Sequence, residues 1–147
     1  ARIFLLGAAP TVAAKAKVKL EKKYNCTIVG TDDGAATPDN YYNLRELINS
    51  AEPDILFVAF GAPKQEIWLA RNLAHLKSVK VAIGVGGAFD FVSGAVKRAP
   101  HIFQKLGLEW LWRLFLQPSR IRRIYRATIK FPLTVIGASG KSGKHPN

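Results

Sequence analysis

The sequence predicts an α/β fold, a Rossmann-like parallel sheet of about four strands with flanking helices, followed by a helical appendage that is both basic and apolar. Short apolar runs alternate with helical segments of about 10–15 residues, which is the pattern of βαβ units. The runs are apolar throughout, which is typical of strands covered on both faces. In such sheets the crossovers are right-handed, and ligands bind at the carboxyl ends of the strands.

The strands and helices follow one another from the first residues onward. Residues 2–6 predict the first strand. Pro10 suits the first turn of a basic amphipathic helix, which ends near Lys23. The remaining elements are predicted at residues 26–29 (strand), 40–50 (helix), 55–60 (strand), 63–76 (helix) and 79–85 (strand).

The pattern changes after Pro100. We expect an α/β core at residues 1–100, a helical appendage at 101–131 and a flexible tail at 132–147. Helices are predicted at 101–106, at 107–116 and from Pro118 onward. The second of these is apolar nearly all round, which suits insertion into a membrane interface or contact with a second protomer in a homo-oligomer. We favour the membrane interface.

Positive charge is concentrated in the C-terminal third. The chain carries 22 Lys and Arg against 10 Asp and Glu, and residues 97–147 hold 11 of these cations but a single acid, Glu109. This asymmetry points to phosphates in nucleic acid, anionic lipid or a nucleotide sugar. A single cysteine excludes a disulfide within the chain, and the sequence has no cluster with metal-ligand spacing, so we expect neither a metal nor a cofactor.

Two loops that contain glycine follow predicted strands. One predicted strand ends in three glycines, Gly84, Gly86 and Gly87. Because glycine has no side chain, a ligand can reach the backbone N–H groups there, which is a common way to bind phosphate. The other loop begins at Gly61 and leads into a helix whose first turn holds Gln65. The amide of Gln65 can donate and accept, which suits a uracil edge or a sugar amide. The loops at Gly7 and Gly30 also follow predicted strands, and all four loops are expected at the same edge of the sheet. Together they predict one nucleotide-type site.

Each candidate also has a structural explanation. The glycines could form only a tight strand-to-helix turn, and Gln65 could be an exposed polar residue at a helix start. Asp90, which follows the glycines, suits binding of sugar hydroxyls or orientation of a base. It equally suits a helix cap or an ion pair with Arg98. We expect Glu66 to stabilise the helix start and Trp68 to lie in the core.

Three motifs occur together at a specific spacing, namely residues 61–66 with Trp68, residues 84–100, and residues 107–113 continuing to Arg120. Together they resemble the WecG/TagA/CpsF glycosyltransferases over nearly the whole chain. The resemblance implies a bacterial, peripheral enzyme on the inner face of the cell membrane. It implies inverting transfer of N-acetylmannosamine, or a related sugar, from a UDP-sugar to undecaprenyl-diphosphate-linked N-acetylglucosamine. Such reactions build wall teichoic acid, enterobacterial common antigen or capsule.

The resemblance implies that the core at residues 1–100 binds the nucleotide sugar, and that the appendage at 101–131 closes over the nucleotide and contacts the membrane. It also implies roles for individual residues. Gln65 matches a glutamine of the family's pocket. Arg113, Arg120 and Arg123 match arginines thought to fold over the nucleotide, and guanidinium groups suit a diphosphate. The alternative for these arginines is a face attracted to anionic lipid, and both roles can hold together.

The catalytic residue has no counterpart in this sequence. The family's proposed base is an aspartate in a segment that would precede Ala1, so we assign no residue that role and expect this chain alone to transfer no sugar. Two other functions remain open: a catalytically inactive nucleotide-binding fragment, and a basic nucleic-acid-binding module. We disfavour nucleic acid as a partner because the basic residues flank an apolar surface rich in tryptophan.

Overall fold

The computed structural model describes residues 1–97 and 99–116 of the chain. The chain divides into two units, residues 1–97 and 98–147. The first unit contains β1 (Arg2–Gly7), α1 (Val12–Tyr24), β2 (Thr27–Asp32), α2 (Tyr41–Ala51), β3 (Ile55–Ala59), α3 (Lys64–Asn72), β4 (Val81–Gly84) and α4 (Ala88–Ser93). The described part of the second unit contains α5 (His101–Lys105) and α6 (Glu109–Leu116).

The four strands form one parallel sheet in the order β2-β1-β3-β4. From β1 the chain winds outward to β2, then crosses back to β3 and continues to β4, so the winding direction reverses between β1 and β3. Leu6 lies opposite Val58, which in turn lies opposite Gly84. The loops that follow β1, β3 and β4 therefore begin at the same edge of the sheet. These features confirm the predicted α/β fold.

Each face of the sheet carries its own hydrophobic core, because successive side chains of a strand point to opposite faces. Along β1, Phe4 and Leu6 face α2 and α3, whereas Leu5 faces α1 and α4. The first core also contains Leu44, Ile48, Leu56, Val58, Trp68 and Leu76. The second also contains Val12, Ala13, Ala16, Ile28, Ala59 and Phe89. These two cores fix the helices around the central strands.

The sheet is less completely covered than the apolar strands predict. Within the described sheet β4 is an edge strand, and Val81 and Ile83 are 48% and 44% exposed. The helix that follows this strand, α4, has only six residues and packs on α1, so among the described elements it does not cover the face of β4 that carries Val81 and Ile83. The prediction that both faces of each strand are covered is therefore correct for β1 and β3 and wrong for β4.

Several helix boundaries also differ from the prediction. The first helix begins at Val12 rather than at Pro10, because Thr11 has a left-handed backbone (φ 67°) that a right-handed helix cannot include. The helix predicted at 63–76 ends at Asn72 and continues as one 3-10 turn, Leu73–His75. Within α3, Trp68 is fully buried as expected for a core residue.

In the second unit, α5 and α6 are joined by a short turn. Gly107 is left-handed (φ 68°), and the N–H of Leu108 donates to the carbonyl oxygen of Phe103 over 2.8 Å. The rings of Phe103 and Trp112 have centroids 5.6 Å apart, and Phe115 is exposed. The helix predicted from Pro118 and the predicted tail lie outside the described residues. Among the helices described, none combines the length and apolarity needed to cross a membrane.

Candidate functional site

The loop after β3 places Gln65 at the start of a helix. Gly61 turns the chain with a left-handed backbone (φ 76°), and α3 begins at Lys64. The backbone N–H of Gln65 donates to the carbonyl oxygen of Gly61 over 3.1 Å, which closes the first turn. The prediction of a helix start is correct. The side chain, however, points into the protein, and Gln65 is only 6% exposed.

The buried amide of Gln65 joins the two predicted loops. Its Oε1 accepts a hydrogen bond from the N–H of Gly61 over 3.2 Å and a second from the N–H of Gly86 over 3.0 Å. Its Nε2 donates to Oε1 of Glu66 over 2.9 Å. One side chain thus connects the loop after β3 to the loop after β4, which lies 21 residues further along the chain.

These partners determine which way the amide of Gln65 faces. The two backbone N–H groups can donate only to the amide oxygen. The carboxylate of Glu66 can accept only from the amide nitrogen. An amide oxygen accepts through two lone pairs, and the two N–H groups use both. Toward a ligand this side chain can therefore donate through Nε2 but cannot accept. Glu66 lies in the first turn of α3 as expected, and it also holds this orientation.

The glycines of the second loop have three different environments. A Cβ at Gly84 would meet the Gln65 side chain, so the loop packs directly against the amide. Gly86 is left-handed (φ 55°), and within the described part of the chain no heavy atom, those of the two adjacent residues aside, lies within 4 Å of where its Cβ would be. Its N–H is bonded to Gln65, so a ligand above Gly86 would meet open space rather than a free N–H. Gly87 immediately precedes α4.

Asp90 lies in the first turn of α4. Its carbonyl oxygen accepts the N–H of Val96 over 3.0 Å and the hydroxyl of Ser93 over 3.2 Å, and Gly94 (φ 80°) ends the helix. Asp90 therefore follows the open glycine loop, as the sequence indicates. Its proposed contact with a sugar stays a prediction.

A third loop at this edge, the one predicted after the first strand, has an unusual backbone. Gly7, the last residue of β1, and Ala8 and Thr11 just beyond it have left-handed backbones, with φ of 93°, 79° and 67°. The carboxylate of Asp33, just beyond β2, accepts the N–H of Thr11 over 3.1 Å. Left-handed β-branched residues are rare and concentrate at functional sites.

The predicted arginines cannot be placed in the site. Arg113 belongs to α6, but its side chain lies outside what the structure describes, and so do Arg98, Arg120 and Arg123. Their contacts with a diphosphate stay predictions. Across residues 1–97 and 99–116, no three His, Cys, Asp or Glu side chains are grouped so that they could hold a metal ion.

A model of the glycosyl transferase WecG/TagA/CpsF family matches residues 1–144 of the chain. The chain belongs to this family. It is therefore a glycosyltransferase by membership, and the WecG/TagA/CpsF family as a whole uses a nucleotide-sugar donor and a lipid-linked acceptor. In a WecG/TagA/CpsF protein, the joined loops at the carboxyl edge of the sheet are the candidate site for the donor.

Proposed function

We propose that the protein is an inverting glycosyltransferase of bacterial cell-surface polymer synthesis. It moves N-acetylmannosamine, or a related sugar, from a UDP-sugar to undecaprenyl-diphosphate-linked N-acetylglucosamine. The reaction takes place at the inner face of the cell membrane, where the basic C-terminal third contacts anionic lipid.

One observation carries the proposal: the loops after two neighbouring parallel strands are joined at the carboxyl edge by one buried amide. That edge is where α/β sheets bind nucleotides, close to the reversal of winding between β1 and β3. Gly86 offers open space to a ligand, and Asp90 follows in the first turn of α4. These features support Gly84, Gly86, Gly87 and Asp90 as donor-binding residues. Arg113, Arg120 and Arg123 supply charge for the diphosphate.

Catalysis then depends on how the two substrates are positioned and on how charge on the leaving diphosphate is stabilised. Guanidinium groups stabilise the negative charge that develops on the leaving diphosphate, and a base removes the proton of the acceptor hydroxyl. We assign no residue of this chain as that base. Binding of donor and acceptor in a fixed geometry supplies the remainder of the rate enhancement.

Calorimetry with UDP, UDP-N-acetylmannosamine, ADP and GDP tests the donor assignment. We expect both uridine nucleotides to bind more tightly than ADP or GDP, and equal or tighter binding of ADP or GDP contradicts it. A transfer assay with a soluble lipid-diphosphate analogue, analysed by NMR at the new anomeric carbon, tests inversion. Tight uridine nucleotide binding without transfer, both by this chain and by a chain extended upstream of Ala1, would favour an inactive nucleotide-binding protein.

The clustered positive charge favours a second candidate, a nucleic-acid-binding module. Retention on heparin or RNA is compared with retention on anionic liposomes. The proposed glycosyltransferase should prefer the liposomes, because its cations flank apolar tryptophans that can enter a membrane interface. Preference for RNA at matched salt would support the alternative.

A further inference from the structure

We propose that Gln65 is a positioning residue, whose buried side-chain oxygen holds the loops after β3 and β4 together so that the glycine loop keeps the shape that binds the donor. The role as stated rests on the proposed function, since the ligand is a nucleotide. The connection between the loops is independent of the ligand. This role differs from direct recognition of uracil or sugar, which the resemblance implies.

The geometry favours positioning because the oxygen of Gln65 is fully used within the protein. It accepts from Gly61 over 3.2 Å and from Gly86 over 3.0 Å, so no lone pair remains to accept from a uracil N–H. The residue is also 6% exposed, so a ligand would reach little of it. Both observations place Gln65 beneath the binding loop.

Regular pairing with the neighbouring strand ends where the glycine loop begins. The N–H of Val85 donates to the carbonyl oxygen of Val58 over 2.8 Å, which ends the regular pairing of β4. Immediately beyond, Gly86 takes up a left-handed conformation, and its N–H turns back to Gln65. Glycine has many alternative conformations, so a loop that contains Gly86 and Gly87 loses much entropy when it is ordered. A buried acceptor that selects one conformation lowers that cost before the nucleotide arrives.

Glu66 has a supporting part in this arrangement. Its carboxylate accepts from Nε2 of Gln65 over 2.9 Å and so prevents the amide from turning over. If the amide turned, its NH₂ group would face two N–H donors. We therefore expect a graded series: Gln65→Met removes the acceptor at nearly constant size, Glu66→Leu removes only the orienting partner, and Glu66→Gln keeps an oxygen for Nε2.

The experiment measures two properties of each variant. Amide hydrogen exchange by NMR without nucleotide reports on the N–H groups of Gly61 and Gly86, and calorimetry reports the affinity for UDP. For Gln65→Met we expect about tenfold faster exchange at both amides and about tenfold weaker UDP binding. Glu66→Leu should lie between Gln65→Met and the unsubstituted protein, and Glu66→Gln should restore both properties to within about twofold.

A matched control lies at the opposite edge of the sheet. The side chain of Asn49 also bridges two segments: it accepts from the N–H of Lys77 and donates to the carbonyl oxygen of His75, each over 3.1 Å. Asn49→Leu should lower the melting temperature without changing UDP affinity. Equal loss of affinity in Asn49→Leu would show that any loss of stability has this effect, and would overturn the positioning role.

Two further outcomes would overturn the proposal. If Gln65→Met weakens UDP binding while exchange at Gly86 is unchanged, Gln65 contacts the nucleotide directly. If exchange accelerates and UDP affinity stays the same, the loop conformation does not control binding. Lack of UDP binding by the unsubstituted protein defeats the proposed function instead, and the exchange rates still decide whether Gln65 holds the two loops.

Discussion

A Cβ atom at Gly84 would lie 2.6 Å from Nε2 of Gln65 and 2.9 Å from its Cδ, so the glycine backbone lies directly against the buried amide. The amide is held on its other side by the N–H groups of Gly61 and Gly86. It has no room to withdraw without losing these bonds. The absence of a side chain at Gly84 is therefore a packing requirement of the Gln65 network.

Gly84→Ala should displace Gln65. We expect the free energy of unfolding to fall by about 1–3 kcal/mol, since an added methyl group in a close-packed site forces its neighbours to move. UDP affinity should fall by about tenfold, as in Gln65→Met, because the loop loses the same support. Chemical denaturation and calorimetry measure the two effects.

Gly86→Asn provides the comparison for stability. Position 86 has open space and φ 55°, a conformation that asparagine tolerates. We expect it to lose less than about 1 kcal/mol of stability. A greater loss of stability in Gly86→Asn than in Gly84→Ala would show that backbone conformation, and not contact with Gln65, decides the cost.

Gly30 in β2 should prove intolerant of alanine for a related reason. Gly30 lies opposite Phe4 in the sheet, and a Cβ there would overlap the ring and lie 2.8 Å from Cδ2. Phe4 is buried in the first core and cannot move freely. We expect Gly30→Ala to lower the free energy of unfolding by about 1–3 kcal/mol.

A double-mutant cycle with Phe4→Leu identifies the cause. Leucine leaves space at the ring position, so Gly30→Ala should cost less in that background than in the original chain. Additive losses of stability would mean that the Phe4 ring is not responsible.

The acid stability of the protein should depend on an ion pair at the amino edge of the sheet. Oδ1 of Asp54 accepts from Nζ of Lys80 over 2.7 Å, and Oδ2 accepts from the N–H of Arg2 over 2.8 Å. These bonds, that to Lys80 foremost, lower the pKa of Asp54 from its ordinary value of 3.8. Because the folded pKa is the lower one, the stabilisation is complete above the unfolded pKa and is lost as pH falls through the folded pKa.

Lys80→Met should therefore raise the pKa of Asp54 toward 3.8 and weaken the dependence of stability on pH below that value. NMR titration of the Asp54 carboxyl carbon measures the pKa directly. Lys77→Met serves as the control, since it removes a neighbouring lysine that is not bonded to Asp54. An unchanged pKa of Asp54 in Lys80→Met would contradict the role of the ion pair.

The C-terminal arginines should link donor use to membrane binding. Each cation near an anionic surface contributes about 1 kcal/mol, and this part weakens with added salt. We expect Arg113→Glu, Arg120→Glu and Arg123→Glu to reduce both liposome co-sedimentation and turnover. Arg122→Glu and Arg126→Glu should reduce mainly liposome binding. Full turnover of the first three variants on a water-soluble acceptor would mean that those arginines contact only lipid.

Much of the fold could be predicted because its signals are local. The apolar runs and helical periodicity identified all four strands and the helices α1 to α3, and the burial of Trp68 followed from its position among apolar residues. Boundaries were less certain: the start of α1 depends on the left-handed backbone of Thr11, which its side chain does not suggest. The exposure of β4 depends on which helices reach it, and no strand pattern contains that information.

For the candidate site, the sequence by itself determined that two glycine loops follow strands of one parallel sheet and that Gln65 begins a helix beside them. Only the tertiary structure decided the strand order and the inward direction of the Gln65 side chain. The physical reason is that a glutamine in a first helical turn has the same local sequence whether its amide meets water or a neighbouring loop. Its bond to Gly86 exists because β4 pairs with β3, and that pairing joins residues far apart in the chain.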